Sequence, residues 1–390
     1  MKSAPWQVLI FFFFSFCWSG ISSVVAQLFL LNVAPDHKSS YLSSLMFTAT
    51  ITSIIALQVS EKFRNFFFTR LAKYPLILTL GMSVIVGLAL TIVTTQHLWV
   101  FVSTTLALCL VFNIYENLTD QYLITNTSPL KQNQYNQWLL MVRLMAWMLA
   151  PLYFSYSYGH WWNPVLLSIL GLVAITCYYL IFSKNTAGDS PELKHHNKSQ
   201  SLVAQDFFFF GYIFPVMSGS TLFIAMQIYI LRDHFGFENA ATLGGTFITL
   251  ANIAAVIAIM MQRKLKPPAI IAQTGAPLMY LVSIILMMSE VVVTEVGIGV
   301  LALGCGLAVG AFLDHSRNWA TKVATKGRPK VLTLYNNLFN ISALVAFSLG
   351  FILTKWTEGK GFYMGIFTII IVLQIVGLVG LSGWRRSNFA

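Results

Sequence analysis

KNTAGDSPELKHHNKSQSLVAQD, from Lys184 to Asp206, is the one long hydrophilic break in a 390-residue chain that otherwise runs from one apolar stretch to the next. Its Ser, Asn, Lys and Pro content reads as a flexible linker. Six apolar runs precede it and six follow. Each is long enough to cross the roughly 30 Å hydrocarbon core of a bilayer as a helix, which takes about 20 residues. The expected spans lie near 6–31, 41–60, 75–95, 98–122, 136–158, 163–183, 207–231, 242–262, 268–289, 294–314, 331–354 and 361–384. Composition agrees: 57% of the residues are hydrophobic and only 9% charged, against about 25% charged in an ordinary soluble domain. The fold expected is an all-α integral membrane protein of twelve helices. An N-terminal six-helix bundle covers 1–184, a cytoplasmic linker 185–206 and a C-terminal six-helix bundle 207–390.

The basic residues orient this array. Of the 24 Lys and Arg, nineteen fall in the N-terminal segment and every second segment after it. Four, Lys38, Arg232, Lys355 and Lys360, fall in the intervening segments, and Arg143 falls within a span. Cytoplasmic loops are enriched in Lys and Arg, so both termini are expected in the cytoplasm and the net charge of +11 reflects topology. No basic stripe interleaved with aromatics lies on a soluble domain, so nucleic acid is not an expected partner. Lys2 and the Phe-rich run after it resemble a signal peptide, but the run is too long for a signal core. Cys17, Cys109, Cys177 and Cys305 all fall within spans and are expected as buried free thiols. His195 and His196 sit in the linker without further ligands. No metal and no cofactor is expected.

The halves repeat at an offset near 200 residues. Ala26-Gln27-Leu28-Phe29-Leu30-Leu31 answers Met226-Gln227-Ile228-Tyr229-Ile230-Leu231, Pro129 answers Pro329, and Tyr135-Asn136 answers Tyr335-Asn336. With six spans in each half, both halves enter from the same side. This is a parallel repeat about an axis along the membrane normal, which places a cavity at the junction of the halves near the midplane.

Twelve spans, a six-plus-six repeat, a cytoplasmic central loop and basic loops after spans 2, 4, 8 and 10 resemble the major facilitator superfamily, in a divergent bacterial form. In that family the loop after helix 2 carries a Gly, an acid and a basic run. Here Ser60-Glu61-Lys62-Phe63-Arg64 and Thr69-Arg70-Leu71-Ala72-Lys73 hold Glu61 in the acid's place and the basic residues, among them Arg64 and Arg70, without the Gly. Leu149-Ala150-Pro151 echoes the Gly-Pro signature of the family's exporters. The resemblance implies a transporter working by alternating access, a gating role for Glu61, Arg64 and Arg70, and a cavity lined by helices 1 and 7, where Gln27 and Gln227 lie.

Arg143 is the leading candidate for mechanism. A charge at its depth costs at least about 2.5–3.5 kcal/mol, so it needs a partner or a wet cavity. Glu116 and Asp120 share one face of helix 4, four residues apart, at comparable depth. An Arg143–Glu116 or Arg143–Asp120 pair is expected, either as a static structural salt bridge or as a substrate-anion or proton-coupling site. Asp314, near the end of helix 10, is a second coupling candidate or part of a helix-end charge cluster with His315 and Arg317. Tyr135, Trp138 and Trp147 are expected as an aromatic wall beside Arg143. Gln27, Gln227, Asn252, Asn336 and Asn340 either contact substrate or tie helices together. Gly306 and Gly310 have the small-xxx-small spacing of close helix packing.

The function expected is a secondary active transporter moving a small amphipathic or partly anionic solute; ATP is not the expected driving force, since no Gly-x-x-x-x-Gly-Lys-[Ser/Thr] loop is present. The expectation extends to proton-coupled export of a drug-like compound or a secreted metabolite such as a siderophore, across a bacterial inner membrane. Partners would be the solute, protons and membrane lipid, and the chain would act as a monomer. Uptake of such a compound and lipid flipping are the alternatives. A membrane enzyme would need clustered His, Asp or Ser groups at membrane depth, and the His residues are scattered.

Overall fold

A computed structural model describes residues 10–125, 132–185, 202–265, 269–290, 293–325, 329–356 and 360–389. The described residues form twelve long helices: α1 (Ile10–Val33), α2 (Lys38–Thr69), α3 (Pro75–Thr94), α4 (Leu98–Thr125), α5 (Gln132–Ser157), α6 (Trp162–Asn185), α7 (Ala204–His234), α8 (Ala240–Leu265), α9 (Ala269–Met288), α10 (Glu295–Thr325), α11 (Pro329–Trp356) and α12 (Lys360–Phe389). Eleven are long and apolar enough to cross a membrane, and α11 contributes the shorter apolar stretch Ile341–Thr354. Most of the 185–206 linker falls outside the described residues.

Several helices outrun their apolar cores. α2 continues to Thr69 and α10 to Thr325, about two to three turns beyond the expected spans at 1.5 Å per residue. Hydropathy marks the hydrocarbon crossing alone, whereas the helical hydrogen-bond ladder continues into the polar interface. α7 starts earlier than expected because buried Asp206, in its first turn, accepts a hydrogen bond from the Val203 N–H at 3.0 Å, which satisfies one of the orphan amides of a helix start.

Helix pairing repeats from one half to the other. In the first half α1 packs on α5, α2 on α4 and α3 on α6; in the second, α7 packs on α11, α8 on α10 and α9 on α12. The halves meet through α5 against α8 and α2 against α11, two contacts that a two-fold rotation exchanges. In lipid the hydrophobic effect does not press helices together, so close packing and hydrogen bonds must hold them. At Gly306 and Gly310 of α10 an added Cβ would strike the backbone of Ala251 and Ala255 on α8. This is the intimate approach their spacing predicts.

Prolines supply the complementary device. A proline inside a helix has no N–H for the carbonyl four residues earlier. Pro151 in α5 thereby leaves the Trp147 carbonyl open, and Asn252 of α8 donates to it at 3.2 Å. Pro277 in α9 leaves the Gln273 carbonyl open, and the Tyr212 hydroxyl of α7 donates to it. Two single turns are wider than α-helical: Ile21–Val25 in α1 and Ile230–His234 in α7. Such π-turns are rare and cluster at functional sites.

Candidate functional site

A cavity of about 320 Å³ lies between the halves. α1, α2 and α5 line it from one side, and α7 to α11 from the other. Aromatic rings come from both halves, Trp18 and Trp147 from the first and Phe223, Phe247 and Phe347 from the second. Hydroxyls and amides interrupt them, including Ser22, Ser23, Thr50, Ser220 and Asn252. Among the described residues no Asp, Glu, Lys, Arg or His lines the cavity.

The halves touch on both sides of this cavity along the helix axes. On one side Lys38, at the start of α2, pairs with Asp233 of α7 at 3.0 Å, and Tyr363 of α12 donates to the same Asp233 oxygen at 2.7 Å. Slightly deeper, Gln27 of α1 bonds to the opposite helix: its Oε1 accepts from the Ile228 N–H at 3.3 Å, and its carbonyl accepts from the Tyr229 hydroxyl at 3.2 Å. On the other side Asn136 of α5 donates to Thr321 of α10 at 3.0 Å and accepts from Arg317 at 3.2 Å. Arg317 also reaches Asp120 of α4 at 4.0 Å, and Asp120 accepts from Tyr135 at 2.9 Å.

Arg143 takes Glu116 as its partner, with Nη2 to Oε1 at 2.7 Å, and its guanidinium lies over the Phe11 ring at 5.5 Å. The pair sits within the first half, between α1, α4 and α5. Of the partner or wet cavity that Arg143 is expected to need, it has the partner, and it does not line the cavity. Its neighbours Leu144 and Trp147 do, because one residue along a helix turns the side chain by about 100°. The aromatic wall also disperses for this reason. Trp147 faces the cavity, Tyr135 is buried against Asp120, and Trp138 is exposed on the flank.

Gln227 lines the cavity and its amide reaches the Gly244 carbonyl at 3.4 Å. Gln27 is fully buried as a tie between halves. Asn252 both lines the cavity and holds α5. Asp314 is buried in α10 one turn before Arg317. The side chains of Asn336 and Asn340 lie outside the described residues. Glu61 and Arg70 are exposed near the end of α2, and among the described residues neither they nor Arg64 forms an ion pair; the Arg70 guanidinium lies 6.0 Å from the Phe66 ring.

The sequence marks Lys38 as a loop charge and Arg317 as part of a charge cluster at the end of helix 10 with Asp314 and His315. Arg317 is instead buried, its side chain 6% exposed, because α10 runs past it for two more turns. The available signal was Asp314 three residues earlier, a carboxylate on nearly the same helical face. Trp18, Ser22 and Ser23 on α1 and Tyr280 and Ser283 on α9 also line the cavity. Nothing in their spacing distinguishes them from ordinary core positions.

No protein-family profile matches the chain, and no curated protein matches it. Solved structures do match, over nearly its whole length. A peptide transporter solved with sulfate aligns with a TM-score of 0.69 at 12% identity, over 98% of this chain and 94% of that one. A bacterial homologue of the human lysosomal transporter Spinster, inward-facing and occupied, aligns at 0.67 and 11%, over 99% and 98%. A bacterial homologue of the iron transporter ferroportin, outward-facing, aligns at 0.64 and 14%, over 98% and 99%. The fold is therefore of the major facilitator type, two six-helix bundles around a shared cavity. At these identities the likeness is one of fold, and it does not carry over a substrate.

Proposed function

We propose that the chain is a secondary active transporter that carries a small amphipathic organic solute by alternating access. The observation that carries this reading is the cavity between two like bundles, with a separate set of cross-half bonds on each side. Breaking one set while keeping the other opens the cavity to one face of the membrane. Exchanging them opens it to the other. The cavity is complete within one chain, so a monomer suffices. The distribution of Lys and Arg supports cytoplasmic termini, and the membrane proposed is a bacterial inner membrane.

Proton coupling is assigned to the carboxylates next to the cavity. Asp120 stands in the bond set that joins the halves, and Glu116 faces Arg143 one turn away. Protonating Asp120 removes its charge from Arg317 and weakens that set. Export, of a drug-like compound or a secreted metabolite such as a siderophore, is the direction favoured by Pro151 in α5. The uncharged lining favours the amphipathic over the anionic part of the expected solute range.

The test uses Cys305, a native thiol of the cavity lining. In right-side-out and inside-out vesicles, a membrane-impermeant maleimide is expected to reach it from either face. Labelling from a single face only would refute alternation. Solute flux in proteoliposomes should respond to an imposed pH gradient, and flux indifferent to the gradient would remove the proton claim.

A further inference from the structure

The hydrogen-bond accounting of the cavity specifies the ligand more narrowly than its apolar character does. Ser22, Ser23, Thr50 and Ser220 all line it, and each spends its one hydroxyl hydrogen on a carbonyl of its own helix. The acceptors are Trp18 at 2.8 Å, Ser19 at 2.5 Å, Met46 at 2.7 Å and Met217 at 3.0 Å. A hydroxyl has one donor and two acceptor lone pairs, so these four retain lone pairs only. Asn252 commits both amide hydrogens, to Trp147 at 3.2 Å and Ile248 at 2.9 Å, which leaves its Oδ1 as an acceptor. These five groups can therefore only accept, whereas Gln227 and Tyr280, which also line the cavity, carry N–H and O–H hydrogens of their own.

Charge points the same way. The nearby cations Arg143 and Arg317 are turned to Glu116 and Asp120 and do not line the cavity. A charged ligand entering would be desolvated without a counter-charge, at a cost that unpaired buried ions do not recover. A volume of about 320 Å³ is at the low end of the roughly 300–1,000 Å³ of small-molecule sites. That is room for a fused bicyclic ring. Tryptophan rings lining it from the first half and phenylalanine rings from the second suit a flat one.

We propose that the cavity binds an uncharged, planar aromatic compound that presents O–H or N–H donors to Ser22, Ser23, Thr50, Ser220 and Asn252. This rests on the transporter reading for its physiological meaning, but binding itself does not require it.

Four probes that share one ring system test the proposal: 2-naphthol, 2-methoxynaphthalene, naphthalene-2-sulfonate and 2-naphthylmethylamine. The readout is the rate at which N-ethylmaleimide modifies Cys305 in the purified protein, followed by peptide mass spectrometry. Cys177 on α6, outside the cavity lining, reports partitioning into detergent in the same sample. 2-Naphthol should slow Cys305 modification at least about fivefold and the methoxy analogue less than about twofold, with neither charged analogue protecting. Cys177 should be unaffected throughout. Ser22→Ala with Ser220→Ala should narrow the gap between naphthol and its methyl ether.

Protection by the sulfonate or the amine equal to that by naphthol overturns the proposal, as does equal protection by the ether. Should Cys305 prove unreactive, equilibrium dialysis of the same four probes against the protein and its Ala302→Phe variant, which fills the cavity, decides by the same ranking. Absence of naphthol binding in both assays also overturns it. If charged probes win while Cys305 is reachable from both membrane faces, the ligand class falls and the transporter stands. If naphthol protects while Cys305 is reachable from one face only, the reverse holds.

Discussion

Arg143 and Glu116 face each other at 2.7 Å with about a fifth of each side chain exposed. Removing one partner leaves a charge that lipid and protein solvate poorly, whereas removing both leaves none. Arg143→Gln or Glu116→Gln alone should cost about 1–3 kcal/mol, discounted from the cost of a fully buried pair, seen as a lower melting temperature in detergent. The double variant should recover part of that loss. Strict additivity would mean the two groups are not coupled. If Glu116 carries the proton, Glu116→Gln should retain downhill exchange and lose gradient-driven flux. A charge stranded in an apolar run announces itself in sequence, and so did its two possible partners. Which way the side chain points did not, because that depends on helix rotation, which apolar periodicity sets loosely when most faces of a membrane helix are apolar. The tie from Arg317 to the first half was hidden for a related reason: hydropathy ends the span before it, and only the continuation of α10 buries it against Asp120 and Asn136.

At the scale of helices, Pro151 and Asn252 act as a unit across the boundary between the halves. With Pro151 in place, the Trp147 carbonyl depends on the Asn252 amide. Asn252→Leu should therefore destabilise the wild type by about 0.6–1.7 kcal/mol, the range for hydrogen bonds between membrane helices. In a Pro151→Ala background the restored N–H serves that carbonyl, and the same substitution should cost clearly less. Equal costs in the two backgrounds, measured as a double-mutant cycle of thermal stability, would sink the coupling. Gly306→Val and Gly310→Val should be harsher than Ser22→Ala or Ser220→Ala in the cavity lining. Their added carbons meet α8 backbone, which cannot turn aside as a side chain can, and overpacking costs typically about 1–3 kcal/mol or more. Yield of monodisperse protein is the measure; normal yield for both would show that α8 and α10 can part. Number, order and repeat of the helices were legible because lipid demands long apolar runs and loops carry the charge. The partners of the prolines were not, since a sequence shows which carbonyl is orphaned and not which neighbouring helix answers.

For the molecule as a whole, the proposed alternation requires the two sets of cross-half bonds to compete. Asp233→Asn weakens the Lys38 and Tyr363 contacts and should raise Cys305 labelling several-fold from that face while lowering it from the other. Arg317→Gln should do the opposite. Both variants shifting labelling in the same direction, or neither shifting it, would show that these bonds do not set the balance. The cavity is also lopsided, with five helices of the second half lining it against three of the first. A guest held mainly by one wall travels with that wall. When the bundles swing, the first would withdraw like a cover and the second would keep its passenger, so the residence time of the cargo would be decided on the surface that never lets go first.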